Sequence, residues 1–266
     1  MMIIKIGGGK TINHKAIIKD LANIESKFIV VHGANALRNE IAKKMNHEIN
    51  NITSPSGYSS VLTDDNAMDI FLMSYAGLRN KRLVELAQEC NINAIGLTGI
   101  DGGLITGKRK TAIKAKIGNK VKMIRDDLSG RPNKINTELI NLLLNNNTVP
   151  FLCPPILSEE GKALNTENDS IVSLLAKELD NVKTIIHFIE APGLLQDLNN
   201  ENSLIKKIAR QELEHVEEKY TKGRMKRKML SIREAFENEV EKVIFADGRI
   251  ENPVTNALKG KCTTIE

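Results

Sequence analysis

Met2-Ile3-Ile4-Lys5-Ile6-Gly7-Gly8-Gly9 is an apolar run that carries one lysine and stops at three glycines. The pattern repeats outward along the chain. Lys27-Phe28-Ile29-Val30-Val31 stops at His32-Gly33, and Asn93-Ala94-Ile95-Gly96-Leu97 stops at Thr98-Gly99. Val149 to Leu152 stops at Cys153-Pro154-Pro155, Thr184 to Ile189 at Pro192-Gly193, and Lys242 to Phe245 at Asp247-Gly248. Short apolar runs closed by glycine or proline read as buried strands. Stretches with helical spacing lie between them, such as Ala67 to Gln88 and Ile171 to Leu179. The alternation predicts an α/β protein with a mainly parallel sheet covered by helices. Ligands in such folds bind beyond the carboxyl ends of strands, where these glycine and polar clusters fall. The basic segment Thr106 to Pro132 breaks the pattern and reads as a hairpin or loop excursion outside the main sheet.

Composition narrows the class. The 266 residues suffice for one large domain or two lobes, and 41% hydrophobic with 27% charged residues is ordinary for a globular protein. No apolar run approaches the ~20 residues of a membrane helix, and the N-terminus enters a strand directly, so a cytoplasmic protein is expected. The net charge of +5 admits an acidic partner. Aromatic residues make up 3% of the chain, with no Trp, which disfavours single-strand nucleic-acid binding by stacking. Cys90, Cys153 and Cys262 are far apart and suggest neither a disulfide framework nor a zinc site.

Four clusters carry candidate chemistry. Lys5 with Gly7 and Gly8 offers a point charge and close backbone amides to a phosphate, or else is a tight turn with a solvated lysine. His32-Gly33-Ala34-Asn35 turns helix amides toward a ligand, or else is a plain turn with Asn35 as helix N-cap. In Leu164-Asn165-Thr166-Glu167-Asn168-Asp169, Asp169 either orients lysines or closes a capping box with Thr166, and Asn165 can bind a substrate group without charge. In Lys222 to Lys228, Met225, Met229, Ile232 and Phe236 mark one helical face. Lys228 flanks that face, whereas Lys226 and Arg227 read as solvated.

In this order the clusters resemble the amino acid kinase family, and within it the [LysW]-aminoadipate/[LysW]-glutamate kinases, relatives of N-acetylglutamate kinase. The resemblance runs from Lys5 to Thr264. It is carried by Ser54-Pro55-Ser56-Gly57-Tyr58, Gly77 to Leu86, Ala94 to Gly102, Gly107 to Ala112, Gly223 to Lys228 and Phe245 to Pro253. It implies a three-layer α/β/α sandwich with a mainly parallel open sheet. An N-terminal lobe, 1–157, would bind the acceptor and dimerise, and a C-terminal lobe, 158–266, would bind ATP. The implied reaction is ATP-dependent phosphorylation of a side-chain carboxylate, in lysine or arginine biosynthesis. The acceptor would be an aminoadipate or glutamate whose amine is masked by a small acidic carrier protein of the LysW type. By resemblance Lys5 and Lys228 stabilise the moving phosphoryl group, Asp169 orients both, and Gly7 and Gly8 bind ATP. Ala34, Asn35, Val61 and Asn165 would line the acceptor site, and Mg2+ would be held by the ATP phosphates. A homodimer is implied, with neither membrane nor nucleic acid as partner.

The chain departs from this pattern in three places. Gly33-Ala34-Asn35 stands where the family has three glycines. Val61 stands where relatives carry an arginine for the acceptor's α-carboxylate, a loss worth ~1.5–3 kcal/mol, with Arg38 or Arg79 as candidates to compensate. Ile189-Glu190-Ala191-Pro192-Gly193 replaces a nucleotide-lobe motif. Three other readings remain: a kinase of free N-acetylglutamate, a weakly active regulatory paralogue, and a nucleic-acid-binding protein using Lys219 to Lys228.

Overall fold

Strand and helix alternate in a computed structural model that describes residues 1–55, 59–117, 120–220 and 224–266. The strands are β1 Met2–Ile6, β2 Phe28–His32, β3 Asn51–Thr53, β4 Ser59–Val61, β5 Ala94–Thr98, β6 Ile105–Arg109, β7 Ile113–Ile117 and β8 Lys120–Ile124. They continue with β9 Gly130–Ile135, β10 Val149–Cys153, β11 Ile156–Ser158, β12 Ala163–Leu164, β13 Thr184–Ile189, β14 Lys207–Ile208, β15 Lys242–Asp247 and β16 Thr263–Ile265. The helices are α1 His14–Leu21, α2 Asn35–Lys44, α3 Asp65–Phe71, α4 Asn80–Glu89, α5 Thr137–Asn145, α6 Asn168–Glu178, α7 Leu213–Tyr220, α8 Arg224–Phe236 and α9 Pro253–Leu258. The stretch Ala67 to Gln88, which the spacing predicts as one helix, contains a π-helical segment at Leu72–Arg79 between α3 and α4.

Eight strands form the main sheet in the order β14-β16-β15-β13-β1-β2-β10-β5. Its pairs are parallel except β15 with β16. From β1 the chain moves to β2 on one side, and it later returns to β13 on the other. That reversal of winding beside β1 opens a crevice at the carboxyl ends of the strands.

Period-2 alternation splits the core into two layers. Ile3, Val31, Ile185 and Phe245 pack on one face with residues of α5, α6 and α8. Ile4, Ile6, Val30, Ile186 and Phe188 pack on the other with α1, α4 and α9. This is the expected three-layer sandwich. Lys5 shares the face of Ile3, under α6 and α8. It lies inside β1, one residue before the strand's end, rather than beyond it.

The basic excursion is confirmed as lying outside the main sheet. It supplies β6 to β9, which enter two small sheets of order β12-β11-β6-β9 and β4-β3-β7-β8. Among the described residues no helix is long and apolar enough to cross a membrane. Cys153 and Cys262 are buried free thiols, and Cys90 is half-buried.

Candidate active site

Three charged side chains meet where β1, α6 and α8 converge. Lys228 Nζ donates to Asp169 Oδ2 at 2.6 Å, and Lys5 Nζ lies 3.6 Å from Oδ1. All three are almost enclosed, their side chains 14%, 13% and 8% exposed in the order Lys228, Asp169, Lys5. Strand alternation aims Lys5 at α6. Asp169 sits in the first turn of α6, where the helix dipole favours a carboxylate. The helical-wheel reading of α8 holds where it is described: Met229 and Ile232 are buried, and Lys228 flanks them beside the cleft. The side chains of Met225, Lys226 and Arg227 lie outside the described residues. Ser173 donates to Ser231 O at 3.1 Å and ties α6 to α8. The capping-box alternative is corrected. The N-cap of α6 is Glu167, which makes no side-chain cap bond, and the Asp169 carboxylate is committed to the lysines.

Electrostatics follow from burial. For Asp169, burial raises the pKa, but Lys228, Lys5 and His187 outweigh it and hold the carboxyl far below its ordinary 3.8. For Lys5, burial dominates; Asp169 opposes it and Lys228 reinforces it, and the ammonium is pushed down to about 8. Lys228 moves upward, because Asp169 outweighs burial. The two lysines divide one carboxylate unequally, as their 2.6 and 3.6 Å distances require. An ammonium that must be charged to act loses its effect as pH rises through its pKa. We therefore expect kcat/KM for MgATP to fall above about pH 8. The limb in kcat should lie higher, because bound phosphates favour the charged lysine. Initial rates of ADP release across the neutral to alkaline range test this.

The first two sequence clusters come together beside this triad. A Cβ on Gly8 would collide with Asn35 and with the Ala34 backbone, so only glycine allows the approach. Ala36 N donates to Gly8 O at 2.9 Å, and Gly33 N to Ile6 O at 2.9 Å. Gly7 N is taken by Phe188 O at 3.0 Å, so its amide extends the β1–β13 pairing. The N-cap assignment is corrected as well: Ala34 is the N-cap of α2 and Asn35 its first residue. Ala34 has φ −148°, so the position does not call for the left-handed backbone that favours glycine. Glu190 Oε1 accepts from Thr11 N and Oγ1 at 2.8 and 2.7 Å and closes the far side of the glycine loop.

Asn165 and Val61 belong to a neighbouring polar region. Asn165 Nδ2 donates to Thr63 Oγ1 at 2.9 Å. Asp127 accepts from Thr63 N and Ser129 N at 2.9 and 2.8 Å. Thr63 and Asp127, both buried, thus fasten the loop after Val61 to Asn165, a role the sequence reading missed. Val61 pairs with Asn51 on β3, and Thr53 with Lys116 on β7. Residues paired across strands share a face, so Val61 lies on the outer face of this small sheet with Lys114 and Lys116. The inner face carries buried Ile52 and Ala115. Of the two candidate arginines, Arg79 Nη1 lies 3.4 Å from His14 Nδ1 at the start of α1, whereas Arg38 is buried on α2 one turn after Ala34. Residues 56–58 of the Ser-Pro-Ser-Gly-Tyr motif and residues 221–223 lie outside the described residues.

Ammonium groups and backbone amides are donors that suit phosphate oxygens rather than a metal ion. They stand at the switch point of a parallel sheet, where α/β folds bind ligands. The chain belongs to the amino acid kinase family, whose model matches residues 1–247. It is 42% identical to the [LysW]-aminoadipate kinase of Thermus thermophilus and 38% identical to that of Deinococcus radiodurans. All of this chain is covered in both comparisons, with 100% and 91% of the relatives. Carbamate kinase from Giardia lamblia, solved with AMP-PNP bound, shares the fold. Its TM-score is 0.65 at 18% identity, over 99% of this chain and 97% of that one.

Proposed function

We propose that this chain uses ATP to phosphorylate the side-chain carboxylate of an aminoadipate residue whose amine is joined to a small acidic carrier protein. One observation supports the chemistry above all: two ammonium groups share a single buried carboxylate beside the glycine loop. Family membership and the two named relatives support the acceptor.

A carboxylate is ionised at neutral pH and needs no general base. One of its oxygens forms a bond to the γ-phosphorus as the bond from that phosphorus to the β-bridging oxygen breaks, releasing ADP. The transfer depends on positioning and on neutralising charge at the equatorial and leaving oxygens. Lys5 on β1 and Lys228 on α8 supply positive charge from two sides, and Asp169 fixes both. Gly8 admits the phosphates close to the backbone. Asn165, Ala34 and Asn35 form the acceptor side. Mg2+ accompanies ATP and neutralises its phosphates. The masked amine cannot attack the acyl phosphate, which keeps the product linear.

The outer face of β7 and β8 supports an acidic carrier. Lys114 and Lys116 are exposed there beside exposed Val121 and Met123, on the face that also holds Val61. Opposite charge speeds encounter in a salt-dependent way. Lys114→Glu with Lys116→Glu should raise KM for a carrier-linked acceptor about tenfold and flatten its salt dependence, with KM for ATP unchanged.

The test of the acceptor is ADP release with carrier-linked aminoadipate, carrier-linked glutamate and free N-acetylglutamate. Turnover confined to carrier-linked substrates is expected. Faster turnover of free N-acetylglutamate would replace this reading.

A further inference from the structure

His187 is buried in the interior of the sheet, and the triad does not account for it. It pairs in register with Lys5 across β1 and β13, so both side chains leave the same face at the same height toward α6. Its Nδ1 lies 3.7 Å from Asp169 Oδ1. Among the described residues neither atom has a hydrogen-bond partner, although both are buried. The ring is braced against Phe245, with centroids 5.0 Å apart. Two unsatisfied atoms facing each other in an enclosed site are costly unless they pair in some state of the protein. A closure of under about 1 Å brings this pair to hydrogen-bond length.

We propose that His187 is a positioning residue for Asp169, donating from Nδ1–H to Oδ1 when Lys5 turns from the carboxylate to the phosphoryl group. The role rests on the kinase reading above. Among the described residues, Lys5 and this imidazole are the groups at ion-pair distance from Oδ1. Once Lys5 turns away, the carboxylate needs a second donor to keep its angle toward Lys228. A neutral donor serves best, since a third cation would repel both lysines. Burial above all keeps the ring neutral, holding it down to about 3, with Asp169 opposing and the two lysines reinforcing. The Nδ1–H tautomer is required, because an Nδ1 lone pair would face the carboxylate.

The experiment is nitrogen NMR on the full chain labelled with 15N-histidine, with His187 assigned by difference against His187→Leu. The expected result is a neutral Nδ1–H ring whose Nδ1 signal shifts when MgAMP-PNP is added. An Nε2–H tautomer or an imidazolium at neutral pH would overturn the proposal. In steady-state rates, His187→Leu should lower kcat about three- to tenfold with KM for ATP unchanged. His187→Asn, whose amide N–H occupies the δ position, should recover most of it. A wild-type kcat in His187→Leu would also overturn it. The NMR arm needs no acceptor, so a failure of the acceptor reading would show as absent turnover while the ring still reports on Asp169.

Discussion

Lys228→Ala and Lys5→Ala should each lower kcat by about 10²–10³, with KM for ATP changing far less. Both ammonium groups are worth most when charge spreads over the moving phosphoryl group, so their loss falls on the transition state. The two are not equivalent in the resting protein. Lys228 makes the short 2.6 Å bond to Asp169, and Lys5 stands off at 3.6 Å. Removing Lys228 leaves the carboxylate to Lys5, whose pKa should then rise as it gains the whole partner. The alkaline limb of kcat/KM should move upward in Lys228→Ala along with the fall in rate. The double variant should be little worse than either single one, because the lysines act as a unit through one aspartate. Steady-state rates and pH profiles of the three variants measure this, and a near-wild-type kcat in Lys228→Ala would remove that residue from the chemistry.

Asp169→Asn has the second large effect, and it touches stability as well as rate. The substitution leaves two buried ammonium groups without their counter-charge. Breaking a buried ion pair in this way costs about 3–5 kcal/mol, reduced here to the extent that Lys5 sheds its proton. Asp169 raises the Lys5 pKa in the native protein, so its loss should move the alkaline limb to lower pH, opposite in sign to Lys228→Ala. The variant should therefore be slow at neutral pH and recover partly on mild acidification. The folded pKa of Asp169 is depressed, so its stabilisation is present above 3.8 and is lost as pH falls below that value. Wild-type stability should show this acid dependence, and Asp169→Asn should lack it. Denaturant midpoints across pH, read beside activity, separate the two consequences.

The fold was legible because six of the eight strands of the main sheet are short apolar runs closed by glycine, proline or a polar cluster; the edge strands β14 and β16, Lys207–Ile208 and Thr263–Ile265, are too short and polar to stand out. Alternation along β1 then decided which face Lys5 takes, and the helical stripe of α8 decided where Lys228 stands. His187 was hidden because Thr184-Ile185-Ile186-His187-Phe188-Ile189 reads as one apolar run, and only the register with β1 sets the histidine beside Lys5. Thr63 and Asp127 were hidden for a similar reason: they lie 64 residues apart and meet only through the small sheets. Local chemistry misassigned the caps of α2 and α6. Asn35 and Thr166 are good capping residues in isolation, but the close approach of Gly8 to α2 moves the start of that helix back to Ala34 as N-cap. Asp169 is drawn to two lysines from distant segments. In both places a tertiary contact outweighs a local hydrogen bond worth about 1 kcal/mol.

The most direct test is the intact mass of a carrier bearing aminoadipate after incubation with this protein and MgATP. The expected result is a carrier heavier by one phosphoryl group, which hydroxylamine converts to the hydroxamate, with Lys228→Ala showing neither change on the same timescale. ATP consumed while the carrier mass stays unchanged, with no hydroxamate formed, would contradict carboxylate phosphorylation by the lysine pair.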